Sequence, residues 1–300
     1  MNDGSPPHGP SPEGPAPASA GAGPERPAAA PVELELKLEL GEPEAAELLG
    51  KDRALRRATR GRARTRRLRS VYWDTADLGL HRRGVGLRVR DDGRERIQTL
   101  KGPVAPSAGL FERREHETPV SGREPEPAAV DDPALRRVLH AATTARGVGL
   151  EPMVETHLRR TQRVLDFDGS EIVFCLDVGE VHTARGTLPI REVELELVRG
   201  EPGTLFALAL RLLERVPLRP GHEGKAERGF ALLAGEPPEP SKARALALRP
   251  EARLDELLAA AFGEGLRQLS ANVAPAARGT DPEGVHQLRV GVRRLRSLFS

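Results

Sequence analysis

A single cysteine, Cys175, stands in 300 residues. It excludes internal disulfides and CxxC zinc sites, and it suits a reducing compartment. Long apolar runs are scarce too: none approaches the ~20 residues needed to cross a bilayer. The N-terminus lacks a basic start followed by an apolar stretch, so no secretory signal is expected. A cytoplasmic protein without membrane contact is the resulting expectation. The eight histidines are scattered, with no HExxH or paired spacing, which disfavours a histidine zinc site. GxSxG, a complete GxGxxG and GxxxxGK followed by Ser or Thr are also missing. Charge of one sign is not in excess. Lys and Arg number 46 against 44 Asp and Glu, a net +2 that excludes a generic nucleic-acid binder. The arginines are clustered, however, and local potential outweighs the sum. Cys175 lies in an apolar strand and reads as core rather than nucleophile.

Residues 1–31 are mostly Pro, Gly, Ala and Ser. Such a segment cannot bury enough apolar surface to offset its ordering entropy, and disorder is expected there. From Val32 to Leu40 the chain then alternates strictly, apolar against charged. Successive side chains of a strand point to opposite faces, so Glu33, Glu35, Lys37 and Glu39 share one face, with residues two apart separated by roughly 7 Å. Such a row is either a solvated surface or the floor of a combined cation and anion site. Glu42–Leu55 reads as a short helix. Arg53–Arg69 is an arginine-rich run, either a solvated face or connection, or a collar that draws in an anionic ligand.

The middle of the chain is a series of short alternating segments. They are Ser70–Thr75, Gly86–Arg90 with its Asp91-Asp92-Gly93 turn, Arg96–Gly102, Phe111–Thr118, Glu155–Phe167 and Glu171–Val181. Arg191–Leu197 then repeats the opening pattern. Strands at this spacing predict a barrel or sandwich, interrupted by helices near Asp131–Ala145 and Thr204–Arg215. Pro237-Pro238-Glu239-Pro240 marks a boundary, with 236–249 a linker. From Pro250 the period is helical, through Leu254, Leu257, Leu258, Ala261, Phe262 and Leu266. Asp281-Pro282-Glu283 opens a further helix. Its apolar stripe of Val285, Leu288, Val292, Leu295 and Phe299 runs beside a basic one of His286, Arg289, Arg293 and Arg296, with Arg294 adding charge. A helix pair of this kind reads as the front of a longer helical module.

The alternating strands carry charge of both signs. The acids are Glu33, Glu35, Glu115, Glu117, Asp177, Glu192, Glu194 and Glu196. The bases are Lys37, Arg88, Arg90, Lys101, Arg114, Arg160, Arg163 and Lys225. On the inside of a closed sheet, a like pair 4 Å apart costs about 4 kcal/mol at an effective dielectric near 20. Divalent cations, basic neighbours or proton uptake must offset that. Carboxylates suit Mg²⁺ or Mn²⁺, while arginine and lysine suit phosphate oxygens. The combination is coherent with metal-dependent phosphoryl transfer. Periodicity leaves open which face is inside.

The order of these pieces resembles the CYTH domain of the triphosphate tunnel metalloenzyme superfamily. Glu33-x-Glu35-x-Lys37 is similar to its ExExK motif. Tyr72-x-Asp74-Thr75, Leu87-Arg88-Val89-Arg90, Thr99-Leu100-Lys101-Gly102, Arg114-Glu115-x-Glu117, Asp177-x-Gly179-Glu180, Glu192-x-Glu194-x-Glu196 and Lys225-Ala226-Glu227-Arg228-Gly229 follow in order, over 32–235. Residues 250–300 resemble the start of a CHAD domain, with its HxxRV and RRLR pattern at His286–Val290 and Arg293–Arg296. The resemblance implies an α+β chain: an eight-stranded antiparallel tunnel with an inward polar lining and flanking helices, then the start of an all-helical domain.

It further implies a metal held by Glu33, Glu35 and members of Glu192, Glu194 and Glu196. Phosphates would be held by Lys37, Arg88, Arg90, Lys101, Arg114, Arg160 or Arg163, and Lys225. Glu35, Lys37, Glu117 and Asp177 would take the catalytic roles. The implied activity is Mg²⁺- or Mn²⁺-dependent hydrolysis of tripolyphosphate to pyrophosphate and phosphate. Organic triphosphates (thiamine triphosphate or a nucleotide) and adenylate cyclisation are alternatives on the same tunnel. An alternative of another class is a non-catalytic polyphosphate binder. Long-chain polyphosphate would meet His286, Arg289, Arg293, Arg294 and Arg296.

Overall fold

The computed structural model describes Met1 and residues 34–107, 110–221, 223–235, 239–246, 248–279 and 281–298, leaving aside the side chains of 103–107, 110–114 and 145. The tail expected at the N-terminus, Glu33 and the Arg114 side chain lie outside the described residues.

Alternation builds most of the chain into one antiparallel sheet. Its strands are β1 (Leu34–Leu40), β2 (Arg64–Asp74), β3 (Gly86–Asp91), β4 (Arg96–Ser107), β5 (Leu110–Pro119), β6 (Glu151–Phe167), β7 (Ser170–Thr183), β8 (Gly186–Arg199) and β9 (Leu218–Pro220). They lie in the order β5-β4-β3-β2-β6-β7-β8-β1-β9. The arginine-rich run is no loose connection; its second half is the start of β2.

The sheet corrects the expected tunnel in one respect. It has nine strands, and among the described residues no pairing joins its edges, β5 and β9. The reason is local. The short β9 takes the free edge of β1, pairing Leu38 with Pro220 and Leu40 with Leu218. Three residues ending in proline then make a poor template for another strand.

Helices cover one face of this sheet. Leu38 and Leu40 of β1 pack with Leu176, Val193 and Leu195, under α1 (Pro43–Lys51), α2 (Arg53–Ala58) and α4 (Gly203–Leu213). Full burial of a leucine is worth about 1.5–3 kcal/mol, and a one-residue slip would turn every one of them the other way. The leucines therefore set the register, and the charged residues between them take the opposite face. Further along the same outer face, α3 (Pro133–Ala142) covers Leu87 and Leu100. Its N-terminus is capped by Asp132, which accepts from the Ala134 and Leu135 amides.

α5 (Lys225–Ala234) goes to the charged face instead. Its Phe230 sits on Val154, Val181 and Ile190 of β6, β7 and β8. Gly229 makes this approach feasible: a Cβ there would lie 2.3 Å from Val154 Cγ1 and 3.0 Å from Val181 Cγ1.

The C-terminal helices are α6 (Leu254–Ala271), α7 (Val273–Arg278) and α8 (Pro282–Ser297). The apolar residues of α6 and the stripe of α8, the latter expected to be core, are largely exposed: Leu254, Leu257, Leu258, Phe262, Leu266, Val285 and Val292 all face outward. Glycines mediate the α6–α8 contact, with a Cβ on Gly265 falling 2.6 Å from Leu295 and one on Gly291 falling 3.2 Å from the Leu269 backbone. Gln268 Nε2 donates to Gln287 Oε1 at 2.8 Å inside that contact. Part of the expected linker is docked. Asn272 exchanges hydrogen bonds with the Ser241 backbone at 2.9 and 2.8 Å. Arg267 donates to the Lys242 carbonyl at 2.8 Å.

Candidate active site

Directly paired residues of an antiparallel ladder share a face. β1 and β8 set Glu35 against Glu196, Lys37 against Glu194, and Glu39 against Glu192. β8 and β7 add Asp177 opposite Glu192. β7 and β6 add Arg160 opposite Asp177, and β2 adds Arg66 opposite Arg160. On the other half, Arg88 and Arg90 pair with Tyr72 and Ser70 of β2, and Arg88 pairs with Thr99 of β4. Glu117 and Glu115 of β5 pair with Thr99 and Lys101. All these side chains occupy the face opposite the leucines.

Acids concentrate on β7 and β8. Asp177 and Glu192 are wholly buried. With Glu194 they present carboxylate oxygens within 4.8 Å of one another, a group able to hold a metal ion. Cations close around them. Arg160 forks onto Asp177, with Nε at 2.8 Å and Nη2 at 2.6 Å, and reaches Glu194 at 2.5 Å. Lys225 Nζ, brought in by the first turn of α5, lies 2.9 Å from Asp177 and 2.8 Å from Glu194, and it also contacts Glu192. Arg228, one turn further along α5, pairs with Glu192, and Lys37 Nζ is 3.4 Å from Glu194.

Burial works against the Glu194 carboxylate, but the Lys225, Arg160 and Lys37 charges prevail and hold it well below the usual range. Burial likewise disfavours the Lys225 ammonium, and Glu194, Asp177 and Glu192 reverse that, raising its pKa. Removing one member of such a buried set typically costs about 3–5 kcal/mol.

Glu35 is different. Its carboxylate is only partly compensated, with Lys37 Nζ 3.9 Å away. Burial first, then the Glu194 charge, push its pKa up, while Lys101 of β4 acts in the lowering direction. That Lys101 is felt at β1, across the intervening strands, reflects the roll of the sheet. The Glu35 side chain is 40% exposed; short of countercharge, it gains from a cation, and an all-oxygen set of Glu35, Glu194 and Glu196 has the hard-donor chemistry of Mg²⁺ or Mn²⁺.

The base-rich half is looser. Lys101 pairs with Glu115 at 2.8 Å. Arg88 and Arg90 lie 3.6 and 3.9 Å from Glu117. Thr99 bridges them, accepting from Arg88 at 2.9 Å and donating to Glu117 at 3.0 Å. Burial, then the adjacent Arg88, lower the Arg90 pKa, with Glu117 acting in the opposite direction.

Arg163 stands apart from this gathering. Its parity puts it on the outer face beside Leu165, where Nη2 donates to the Gly50 carbonyl at 3.2 Å. Arg160 is the member of that pair on the charged face. Asp74 accepts from the Leu80 and His81 amides at 2.7 and 2.8 Å, so the Tyr72–Thr75 motif organises a turn. Cys175 pairs with Glu194 on the charged face, buried, with its thiol pushed up to about 12 by burial. A thiol held protonated in this way is no nucleophile. His286, Arg289, Arg293, Arg294 and Arg296 lie exposed along α8. Two residues of the gathering, Arg228 and Thr99, stood in quoted motifs without being given a site role. Arg228 was legible as a partner of the same acids, because a residue three after Lys225 on a helix shares its face. Thr99 was legible as a neighbour of Lys101, but its bridging of Arg88 and Glu117 was not.

The CYTH domain model matches residues 32–230 and the CHAD domain model matches 260–300. An inorganic triphosphatase of Haemophilus influenzae is 28% identical over 165 residues, 55% of this chain and 46% of that protein. The chain thus spans about half the length of that curated relative. A Hippeastrum protein, described as a candidate adenylyl cyclase with a dominant triphosphatase activity, aligns with a TM-score of 0.46 at 21% identity, covering 68% of this chain and 96% of that one. A Bacillus halodurans candidate adenylate cyclase aligns with the same TM-score and identity, covering 66% of this chain and 97% of that one. Among the described residues no helix is long and apolar enough to cross a membrane. With the family model covering most of the sheet that carries the two-signed face, the chain belongs to the CYTH domain family.

Proposed function

We propose that the protein is a Mg²⁺- or Mn²⁺-dependent inorganic triphosphatase that hydrolyses tripolyphosphate to pyrophosphate and phosphate. One observation carries this reading. A row of carboxylates on β1, β7 and β8 and a set of arginines and lysines on β3, β4 and β6 share one face of one sheet. The sequence relative named an inorganic triphosphatase points the same way.

Glu35, with Glu194 and Glu196, would hold the metal, which supplies charge neutralisation and an activated water when bound. Lys37, Arg88, Arg90, Lys101 and Arg160 fix the phosphoryl oxygens, Arg160 with a fork already oriented by Asp177. Asp177 is therefore a positioning residue, since both its oxygens are occupied. Lys225 sets the orientation of Glu192 and Glu194. Glu117, held between Arg88, Arg90 and Thr99, would orient water on the base-rich side. Arg163 has no part in this scheme. The exposed basic face of α8 is proposed to meet long-chain polyphosphate.

A second reading has an observation of its own. Lys225 pairs with Asp177, Glu192 and Glu194 and so supplies those acids with a countercharge from the chain itself. That suits a non-catalytic polyphosphate binder. Phosphate release from tripolyphosphate, with and without Mg²⁺, separates the two. Metal-dependent turnover supports the enzyme, and tight binding without turnover supports the binder. A panel including ATP and thiamine triphosphate then ranks inorganic against organic substrates.

A further inference from the structure

The arginines at the start of β2 are the charged feature that the triphosphate scheme does not use. Arg66 pairs directly with Arg160, so it extends the charged face by one strand, and Arg64 pairs with Gln162, the next position on that face. The step from Arg66 to Arg64 is roughly 7 Å along the strand. Both side chains line a cavity of about 140 Å³ together with Arg90 and Arg160. Its carboxylates are Asp92 and Glu95, so four guanidiniums face two acids.

The Arg66 guanidinium is held in place. Its Nη1 donates to Asp92 Oδ2 at 2.5 Å. Asp92 is itself anchored by the Arg94 and Glu95 amides at 3.0 and 3.2 Å. Arg64 is exposed, and no carboxylate pairs with it among the described residues. No aromatic side chain lines the cavity; beyond the charged groups it has Leu68, Ile97 and Gln162. A nucleobase would therefore find no aromatic stacking partner there, whereas phosphate oxygens would find guanidinium forks. At the other end of the same face, Phe230 of α5 covers Val154, Val181 and Ile190. An anion whose end reaches Arg160 and Lys37 therefore has its remainder directed toward Arg66 and Arg64.

We propose that Arg64 and Arg66 form an outer subsite that takes phosphate groups beyond the third, so that linear polyphosphates longer than tripolyphosphate are preferred ligands of this face. The inference rests on the triphosphate reading of the inner site, and the experiment separates the two. Calorimetry on the full chain without metal compares tripolyphosphate, tetrapolyphosphate and ATP. The proteins compared are the wild type, Arg64→Ala, the Arg64→Ala/Arg66→Ala double variant and Arg159→Ala, an exposed arginine on the outer face of β6.

Wild type should bind tetrapolyphosphate more tightly than tripolyphosphate. The double variant should lose about tenfold for tetrapolyphosphate, a 1.4 kcal/mol change, and less than about twofold for tripolyphosphate and ATP. Arg64→Ala, which breaks no ion pair, should lose part of the same preference, and Arg159→Ala none of it. An equal fall for all three ligands, an equal fall in Arg159→Ala, or no preference in wild type overturns the subsite. Phosphate release with Mg²⁺ is measured in parallel. A binding preference that persists without turnover overturns the enzymatic reading alone.

Discussion

At the scale of the residue, Glu35 and Glu194 show how one row of carboxylates divides its labour. Glu194 is compensated by Lys225, Arg160 and Lys37, whereas Glu35 is raised by burial and by Glu194 itself. Glu35→Ala thus removes a carboxylate whose pairing with Lys37, at 3.9 Å, is loose. The expected outcome is loss of phosphate release by at least about a hundredfold, the order seen when a key charge-stabilising group is removed, with melting temperature unchanged or slightly higher. Colorimetric phosphate assay and a thermal melt check it; a folded variant with full activity would sink the assignment.

Glu155, on the outer face of β6, gives a pH prediction. The hydrogen bond from Arg69, with His157 contributing, depresses its pKa from 4.5 to about 2. A carboxyl depressed in the fold contributes stability above its unfolded pKa and loses it as pH falls through the folded value. The stability gap between wild type and Glu155→Gln should therefore be full above pH 4.5 and close between 4.5 and about 2. Melts at stepped pH test this, and a constant gap contradicts it.

At the scale of the element, α5 decides the geometry of the acid cluster. Among the described residues it is the helix that packs on the charged face, and its first two turns deliver Lys225 and Arg228 to Glu192. Its docking depends on Gly229. Gly229→Val places atoms against Val154 and Val181, and overpacking of this kind typically costs about 1–3 kcal/mol. Denaturant unfolding should show that loss together with lowered activity, since Lys225 moves with the helix. Unchanged stability would mean that α5 is not seated as described. The short β9 matters as much at this scale, because by occupying the edge of β1 it leaves the sheet open.

At the scale of the whole molecule, the two-signed face is a product of pairing between distant segments. The repeat at Glu192-Val193-Glu194-Leu195-Glu196 was legible as a sister of the opening strand, and the two do pair. Alternation also announced which residues travel together, so the Arg160/Arg163 ambiguity was already one of parity. Its resolution was not legible. It needed the knowledge that Leu165, and not Val164, lies in the helix-covered core. The apolar stripe of α8 was read as core and is partly exposed for a related reason: periodicity marks a face but names no partner, and small residues carry the α6–α8 contact.

The sequence by itself determined the α+β class, the alternating charged strands, the family resemblance and nearly all the residues that meet on the charged face. Those are local properties, written in side-chain type and period-two order. Only the tertiary structure decided which face the charges occupy, that Lys225 and Arg228 plug the acid cluster, that Arg163 is excluded, and that Arg64 and Arg66 extend the basic end. Each of these depends on strand register and helix docking, which are set by burial across long sequence separations.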